Sequence, residues 1–280
     1  MFAAFISAIS NAVEAIFSKV IISEKNMSGP VLLKVQMLFL AIFMIVPAII
    51  WGSVQPSFFT YKYIVLFIAL IIVGLILNIL FFTALRKKKL CEVEPIMLLS
   101  TPMTIVLAMI IFPGERSLVL LIISAIALTA LLVSRFEKKH LDFDKYSWMI
   151  IGFDILCAFE AILVKDLLVV MNATSLYFFR VAFITIILFL VIRKIKIKKV
   201  NKKELVQTFA NSGFISVEYV AKFFAIGMIG IANSSLILLL GPILVLVFSK
   251  IFLKEKISLR RGIGDSIVVM CIGAIILFAI

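Results

Sequence analysis

The chain has few of the residues that catalysis and metal binding need. Among its 280 residues there is one histidine, His140, and three cysteines that stand far apart, Cys91, Cys157 and Cys271. No CxxC pair or Cys/His spacing occurs, so the sequence predicts neither a structural metal site nor a disulfide framework. No acidic cluster or Ser/His arrangement lies at a predicted helix end, where lipid headgroups would be. We therefore predict that the protein is not an enzyme and carries no cofactor.

Acidic residues are also scarce, and apolar residues are in large excess. Hydrophobic residues make up 64% of the chain, whereas about half is typical of soluble proteins. Ten membrane spans of about 20 residues would use roughly 200 positions and leave about 80 for the connections, with no room for a globular domain outside the bilayer. This composition excludes a water-soluble fold.

Long apolar stretches separated by short polar clusters predict ten helices. Inside a bilayer each backbone group must be paired within its own segment, which favours helices, and alternating segments of strand length are absent. We therefore predict an all-α integral membrane protein. The predicted helices are residues 2–22, 31–51, 63–85, 95–113, 117–134, 147–169, 175–192, 204–226, 234–253 and 261–280.

The chain has 28 lysines and arginines against 15 acidic residues, which gives a net charge of +13. Most of the basic residues lie in the connections after helices 1, 3, 5, 7 and 9. Among the connections on the opposite side, only Lys62 and Arg116 are basic. The positive-inside rule places the basic side in the cytoplasm and both termini outside, in a multi-pass protein of the cytoplasmic membrane. The basic run at residues 193–203 is then expected to face lipid headgroups, not nucleic acid.

An internal repeat divides the chain into two halves. The segment AVEAIFSK (12–19) recurs as AFEAILVK (158–165), and at the same offset Lys34 meets Arg180. Further on, STPMTIVLAMIIFPGER aligns with LGPILVLVFSKIFLKEK, so that Pro102 meets Pro242 and Glu115 meets Glu255. Each half contains five predicted helices, and an odd number forces the second copy to insert upside down. We predict five-helix repeats at 1–134 and 147–280, joined by a basic loop at 135–146.

These motifs resemble those of the EamA-type branch of the drug/metabolite transporter superfamily. The likeness rests on the TP or GP step in helices 4 and 9, the following FxxGER or FLKEK turn, and the basic residue that closes the polar patch of helices 1 and 6 (Lys19, Lys165). It covers both halves and implies ten helices in two inverted repeats around a central cavity, with alternating access. Glu14 and Glu160 stand where the family more often has Asn or Ser. The family also usually places both termini in the cytoplasm, against the charge count, so orientation stays open.

Two glutamates are predicted near the middle of the bilayer, where a carboxylate costs about 2.5 to 3.5 kcal/mol. Glu14 and Glu160 are matched by the repeat, so we expect them to flank the central cavity as proton carriers or as counter-charges for a cation. The small multidrug resistance proteins of the same superfamily are similar in using a helix 1 glutamate for proton and cation exchange. The alternative is that both residues only pack helices together.

A second charged group lies on helix 8. Glu218 and Lys222 are one turn apart, so they either neutralise each other or hold the amine and carboxylate of a zwitterion. Tyr219 lies beside them, and Asn78 falls near the matching part of helix 3. With Glu14 and Glu160, these four residues form the predicted substrate and proton site. Pro102 and Pro242 are predicted hinges, because each bends its helix.

Other intramembrane charges receive simpler interpretations. Lys19, Lys34, Lys165, Arg180 and Lys250 are within reach of an interface, so we expect their charged ends to snorkel. Asp154 and Asp166 are expected near solvated helix ends. Tyr177 is, with Tyr219, a weak candidate for an aromatic box.

From these residues we predict a secondary active transporter for a small organic cation or zwitterion, such as an amino acid, polyamine or quaternary amine. Its expected partners are that substrate, coupling protons and membrane lipids, and it is expected to be a monomer or homodimer. The alternative is a polyspecific drug or metabolite exporter of the same superfamily. A membrane-embedded enzyme or a cation channel is a further alternative. The direction of transport, import or efflux, stays open.

Overall fold

A computed structural model describes residues 1–23, 29–87, 97, 99–135, 145–191, 201–252 and 259–278. The predicted basic loop at 135–146 lies outside these residues except at its two ends. The side chains of Lys19 and Lys250, and most of the basic connections, also lie outside the description.

The described residues are helical almost throughout, because the apolar segments satisfy their backbone groups internally. No β-strand occurs in this part of the chain. The helices are α1 (Phe2–Ser23), α2 (Gly29–Trp51), α3 (Tyr61–Lys87), α4 (Ser100–Ile111), α5 (Leu118–Arg135), α6 (Lys145–Leu167), α7 (Ala173–Val191), α8 (Lys202–Leu238), α9 (Leu240–Phe252) and α10 (Leu259–Phe278). Short 3₁₀ turns follow α2 and α4, at Pro56–Phe59 and Pro113–Glu115.

Five segments are long and apolar enough to cross a membrane: Pro30–Trp51, Tyr61–Phe81, Lys145–Leu167, Ala173–Val191 and Lys202–Val245. Shorter apolar helices accompany them. The prediction of an all-helical membrane protein is thus confirmed. The count of ten spans and the inversion of the two repeats stay predictions.

Large apolar side chains lie on the outside of the bundle, and its mostly apolar interior also encloses polar side chains. Val46 and Ile49 are examples of large apolar residues that face outward. One face of α8 is instead buried and polar, with Thr208, Asn211 and Ser212 almost wholly enclosed. Lipid tails exclude polar groups, so such a face must turn toward neighbouring helices. This arrangement places the polar residues where an internal site can form.

The stretch that contains α8 and α9 has two breaks, one inside α8 and one between α8 and α9. Gly230 has φ 83° and ψ 170°, a left-handed conformation that glycine adopts without steric cost, and it lies between predicted helices 8 and 9. A second break at Leu239 lies three residues before Pro242. Similarly, α4 begins one residue after Leu99, and Pro102 is its third residue. Proline lacks the N–H that would continue the helix, which explains both proline-linked breaks.

Two connections pair at one end of the bundle. Val54, after α2, forms an isolated antiparallel bridge with Met171, after α6. Gln55 N–H donates to the Val170 carbonyl at 2.8 Å, and Asn172 N–H donates to the Ser53 carbonyl at 3.1 Å. We call this end, with connections 52–60, 112–117 and 168–172, the loop-paired end. The bridge holds the ends of α2 and α6 close to each other, because both helices end at this side of the bundle.

Helices α5 and α10 pack closely against each other. A Cβ atom at Gly264 would lie 2.4 Å from Ser134 Cβ and 2.9 Å from the Ala130 carbonyl oxygen. No side chain larger than hydrogen fits at that point. Such small-residue contacts let membrane helices approach closely, where van der Waals packing is the main attraction.

Candidate functional site

A cavity of about 340 Å³ lies between α1, α2, α3, α4, α6, α7 and α8. All six residues predicted from the sequence as substrate or proton ligands line it: Glu14, Asn78, Glu160, Glu218, Tyr219 and Lys222. The structure therefore brings together residues from four helices and both halves of the chain. That they bind a substrate or proton stays a prediction.

Glu160 on α6 is neutralised inside the protein. Its carboxylate accepts a hydrogen bond and forms an ion pair with the Arg180 guanidinium of α7, and both side chains are at least 95% buried. Lys222 of α8 lies on the other side, with Nζ 4.0 Å from Glu160 Oε2. Taking a carboxylate out of water is costly unless it is paired, and here two cations surround one anion.

Glu14 and Glu218 are held differently. Glu14 Oε1 accepts a 2.7 Å hydrogen bond from Ser18, whose hydroxyl in turn accepts one from Asn211 Nδ2 at 3.1 Å. Glu218 Oε1 accepts a 3.0 Å hydrogen bond from Asn11 Nδ2. In the part of the chain that the structure describes, neither carboxylate has a cation within ion-pair distance. Among the described residues, only neutral donors therefore contact these two carboxylates directly.

Two tyrosines form the aromatic part of the cavity wall. The rings of Tyr177 and Tyr219 stack with centroids 5.1 Å apart and an interplanar angle of 7°. The Arg180 guanidinium carbon lies 5.4 Å and Lys222 Nζ 5.3 Å from the Tyr219 centroid. Both distances are within cation–π range, so the Tyr219 ring stabilises the two cations on either side of Glu160.

Asn78 and Gly74 shape the wall on α3. Asn78 Nδ2 donates to the Gly74 carbonyl at 2.7 Å, one turn earlier on the same helix. A Cβ atom at Gly74 would lie 3.0 Å from Arg180 Nε and 3.1 Å from Nη2. Glycine at this position therefore lets the guanidinium approach the helix backbone closely.

The prediction that Arg180 snorkels to an interface is wrong. Its side chain is 5% exposed and points to Glu160, because pairing inside the bundle replaces the solvation it would gain at the surface. The only sign of this in the sequence is that the repeat places a basic residue at both matched positions, Lys34 and Arg180. Lys34 is also buried, with Nζ 4.1 Å from the Phe189 ring centroid. The neutral donors Asn11, Ser18 and Asn211 were not predicted either.

Asp154 on α6 also differs from expectation. It is fully buried, and neither carboxylate oxygen has a hydrogen-bond partner within the described residues. It therefore does not lie at a solvated helix end, and it is not among the residues that line the cavity. A buried carboxyl group without partners destabilises the fold, since such groups are normally hydrogen-bonded.

Lys165, another expected snorkelling residue, belongs to a cluster at the loop-paired end. Its Nζ pairs with the carboxylate of Glu115, which follows α4. The same carboxylate accepts hydrogen bonds from the backbone N–H groups of Ile231 at 2.9 Å and Ala232 at 2.8 Å, directly after the break at Gly230. Glu115 thus caps the helical segment that starts at residue 231, where a negative charge is favourable. We call Glu115, Lys165 and residues 230–232 the capping cluster.

The predicted hinge at Pro242 lies beside the cavity. A Cβ atom at Gly241 would be 2.8 Å from Asn11 Oδ1, while Asn11 Nδ2 bonds to Glu218. One side chain therefore contacts both a cavity acid and the start of α9. That Pro102 and Pro242 act as hinges stays a prediction. Within the described residues, no group of three or more His, Cys, Asp or Glu side chains is arranged to hold a metal ion.

Comparison with known proteins supports the fold and the family. Residues 145–279 match the model of the EamA-like transporter family, which confirms the superfamily indicated by the motifs. No curated protein matches the chain. Twenty-eight chains of solved structures match it. One, described only as the crystal structure of a protein, has a TM-score of 0.79 at 11% identity and covers 99% of this chain and 96% of that one. At that identity the likeness shows a shared fold.

Proposed function

We propose that this protein, whose residues 145–279 match the model of the EamA-like transporter family, is a secondary active transporter of the cytoplasmic membrane. Its substrate is a small organic cation or zwitterion, moved by alternating access and coupled to protons. The cavity between the two halves of the chain is the transport site, and its acids hold the cationic group.

The observation that carries this proposal is the unequal treatment of three acids in one cavity. Glu160 is paired with Arg180 and lies beside Lys222, whereas the hydrogen-bond donors to Glu14 and Glu218 among the described residues are neutral. Two carboxylates that form no ion pair there, in a low-dielectric cavity, attract a positive group strongly. Since Glu160 is already neutralised, Glu14 and Glu218 supply the charge for an incoming cation.

The same pair supports proton coupling. When the cation leaves, Glu14 and Glu218 repel each other in a confined space, and a proton bound by either one relieves that repulsion. Cation and proton therefore compete for the same charge, which links their movements in opposite directions. In this proposal Glu218 acts together with Glu14, while the role predicted for Glu160 as a cation or proton ligand stays a prediction.

Two features support alternating access. The capping cluster joins the α4–α5 connection, the end of α6 and the start of the segment after Gly230, and so closes the loop-paired end. The bridge of Val54 with Met171 supports the inverted arrangement of the repeats. Because α2 and α6 both end there, an antiparallel α1 would begin at that end, and α6, its repeat counterpart, would run the other way.

Counterflow in proteoliposomes tests the proposal. Vesicles loaded with an unlabelled amine or amino acid should accumulate the labelled compound, and an imposed pH gradient should drive uptake. Glu14→Gln and Glu218→Gln should each lower the pH dependence of uptake, since each removes one of the two acids. Lys62→Gln, on an exposed turn of α3, is the matched control and should leave transport unchanged.

Three results would count against the proposal. Transport with unchanged pH dependence in both glutamine variants would show that the acids are structural. Uptake without trans-stimulation would indicate a channel. Transport of bulky hydrophobic cations in preference to small amines and amino acids would favour a polyspecific exporter that uses the same acids.

A further inference from the structure

The cavity has one part with a net positive charge and another with a net negative charge. Arg180, Lys222 and Glu160 together carry one net positive charge, with the cations close to Tyr219. Glu14 and Glu218, with Asn11 and Ser18, form the negative part. Along α8, Glu218 and Lys222 are four residues apart, which is about 6 Å at 1.5 Å per residue. The site therefore has two poles of opposite sign.

The positive pole has unused hydrogen-bonding capacity. A guanidinium carries five N–H donors, and within the described residues Arg180 uses Nη2 alone, toward Glu160. Its Nε is buried without a hydrogen-bond partner there. Arginine is suited to planar, bidentate binding of carboxylates, and a buried donor without an acceptor is costly. Lys222, whose side chain is 25% exposed, adds a second cation facing the same cavity.

We propose that Arg180, assisted by Lys222, is the residue that selects substrates bearing a carboxylate. The substrate is then a zwitterion, whose carboxylate binds at Arg180 while its ammonium group binds between Glu14 and Glu218. This inference rests on the proposed transport function and narrows it: polyamines and choline-like cations satisfy only the negative pole. They leave the positive pole without an anion.

Matched pairs of ligands test this proposal. Lysine and cadaverine differ only in the carboxylate, and glycine betaine and choline differ mainly in having a carboxylate or a hydroxymethyl group. Binding of all four to purified protein in nanodiscs gives a selectivity ratio for each pair. We expect the carboxylate-bearing member to bind about tenfold more tightly or better in the wild type, because it makes charge-assisted hydrogen bonds that its partner lacks.

Variants assign the selectivity to Arg180. Arg180→Gln alone leaves Glu160 buried without its partner and threatens folding, so the main variant is Arg180→Gln with Glu160→Gln, which removes both charges of the pair. Its selectivity ratios should fall close to one, because lysine and glycine betaine lose the charge-assisted hydrogen bonds that Arg180 would supply. Arg180→Lys should give intermediate ratios, since a lysine keeps the charge but loses the planar fork. Lys62→Gln serves as the surface control.

The outcomes separate this inference from the broader proposal. If cadaverine and choline bind wild-type protein as tightly as their carboxylate partners, the selectivity role of Arg180 is wrong while cation transport stands. Unchanged ratios in the double variant would also overturn it. If no member of either pair binds or drives counterflow, the proposed transport function itself fails.

Discussion

Replacing Glu115 with glutamine should weaken the closure of the loop-paired end. The carboxylate of Glu115 pairs with Lys165 and accepts the N–H groups of Ile231 and Ala232. Glutamine keeps one acceptor oxygen but loses the charge and places an amide group where the second N–H must be accommodated. Lys165 is 26% exposed and rests 4.2 Å from the Phe112 ring centroid, so water can solvate it once the pair is lost.

The size of the effect follows from the hydrogen bonds. Hydrogen bonds to a charged group contribute about 1.5 to 3 kcal/mol and neutral ones about 0.5 to 1.5 kcal/mol. The partly exposed ion pair with Lys165 adds less than about 1 kcal/mol. A loss of about 2 to 3 kcal/mol is therefore expected, which corresponds to a roughly 30- to 150-fold rise in the population open at this end.

Labelling of Cys157 measures that population. Cys157 lines the cavity one turn before Glu160. If the capping cluster closes the loop-paired end, as proposed, a membrane-impermeant thiol reagent applied at that end should reach Cys157 only after the end opens. The background carries Cys91→Ser and Cys271→Ser. A Phe59→Cys variant, on the exposed turn of the same end, identifies whether cells or inverted vesicles present that end to the reagent. Glu115→Gln should raise the labelling rate of Cys157 by one to two powers of ten, as computed from the population shift.

Two comparisons make the result specific. Arg116→Gln alters the neighbouring residue, which bonds to the Met109 carbonyl at 3.0 Å and has no part in the capping cluster, so it should leave labelling unchanged. Gly230→Ala should raise labelling as Glu115→Gln does, since a Cβ at that position would lie 2.9 Å from Glu115 Oε1 in a left-handed backbone. Equal labelling in Glu115→Gln and wild type, or an equal rise in Arg116→Gln, would refute the role of the cluster.

Three further predictions concern other parts of the bundle. Asp154→Leu should raise the free energy of unfolding by about 1 to 3 kcal/mol, because it removes a buried carboxyl group that has no partners among the described residues. Asp154→Asn should change it little, and a lower melting temperature in Asp154→Leu would show that the carboxyl group is needed. Gly264→Ala should destabilise the α5–α10 contact by about 1 to 3 kcal/mol, whereas Gly262→Ala should not, because a Cβ there meets no described atom within 4 Å. Equal melting temperatures of the two variants would contradict this prediction. Pro242→Ala should let the helix continue through Leu239, and it should lower kcat for transport more than it changes the substrate Kd. An unaltered kcat would argue against a hinge at this position.

The sequence predicts the acids of the cavity well, because depth along a helix can be counted. Glu14 and Glu160 lie near the middle of apolar stretches, and a charge at that depth needs an internal site. Both line the cavity. The proline breaks were similarly accessible, since the missing N–H and the ring clash are local properties of Pro102 and Pro242.

Partners across helices were not accessible in the same way. Arg180 is only seven residues from the start of α7, so counting placed it within reach of an interface. Its pairing with Glu160 depends on how α6 and α7 rotate against each other, which a single sequence does not encode visibly. Glu115 is a stronger case, because two of its partners are backbone N–H groups more than 100 residues away. Backbone donors leave no side-chain pattern to detect.

The bridge between Val54 and Met171 has a mechanical consequence for opening at the loop-paired end. It is formed by main-chain atoms of two connections, each anchored to a long helix. Side-chain substitution cannot tune such a joint, although a proline or an insertion would break its register. If the proposed alternating access takes place, this main-chain joint would hold while the side-chain contacts of Glu115 separate, so the capping cluster would be the part of this end that breaks and re-forms.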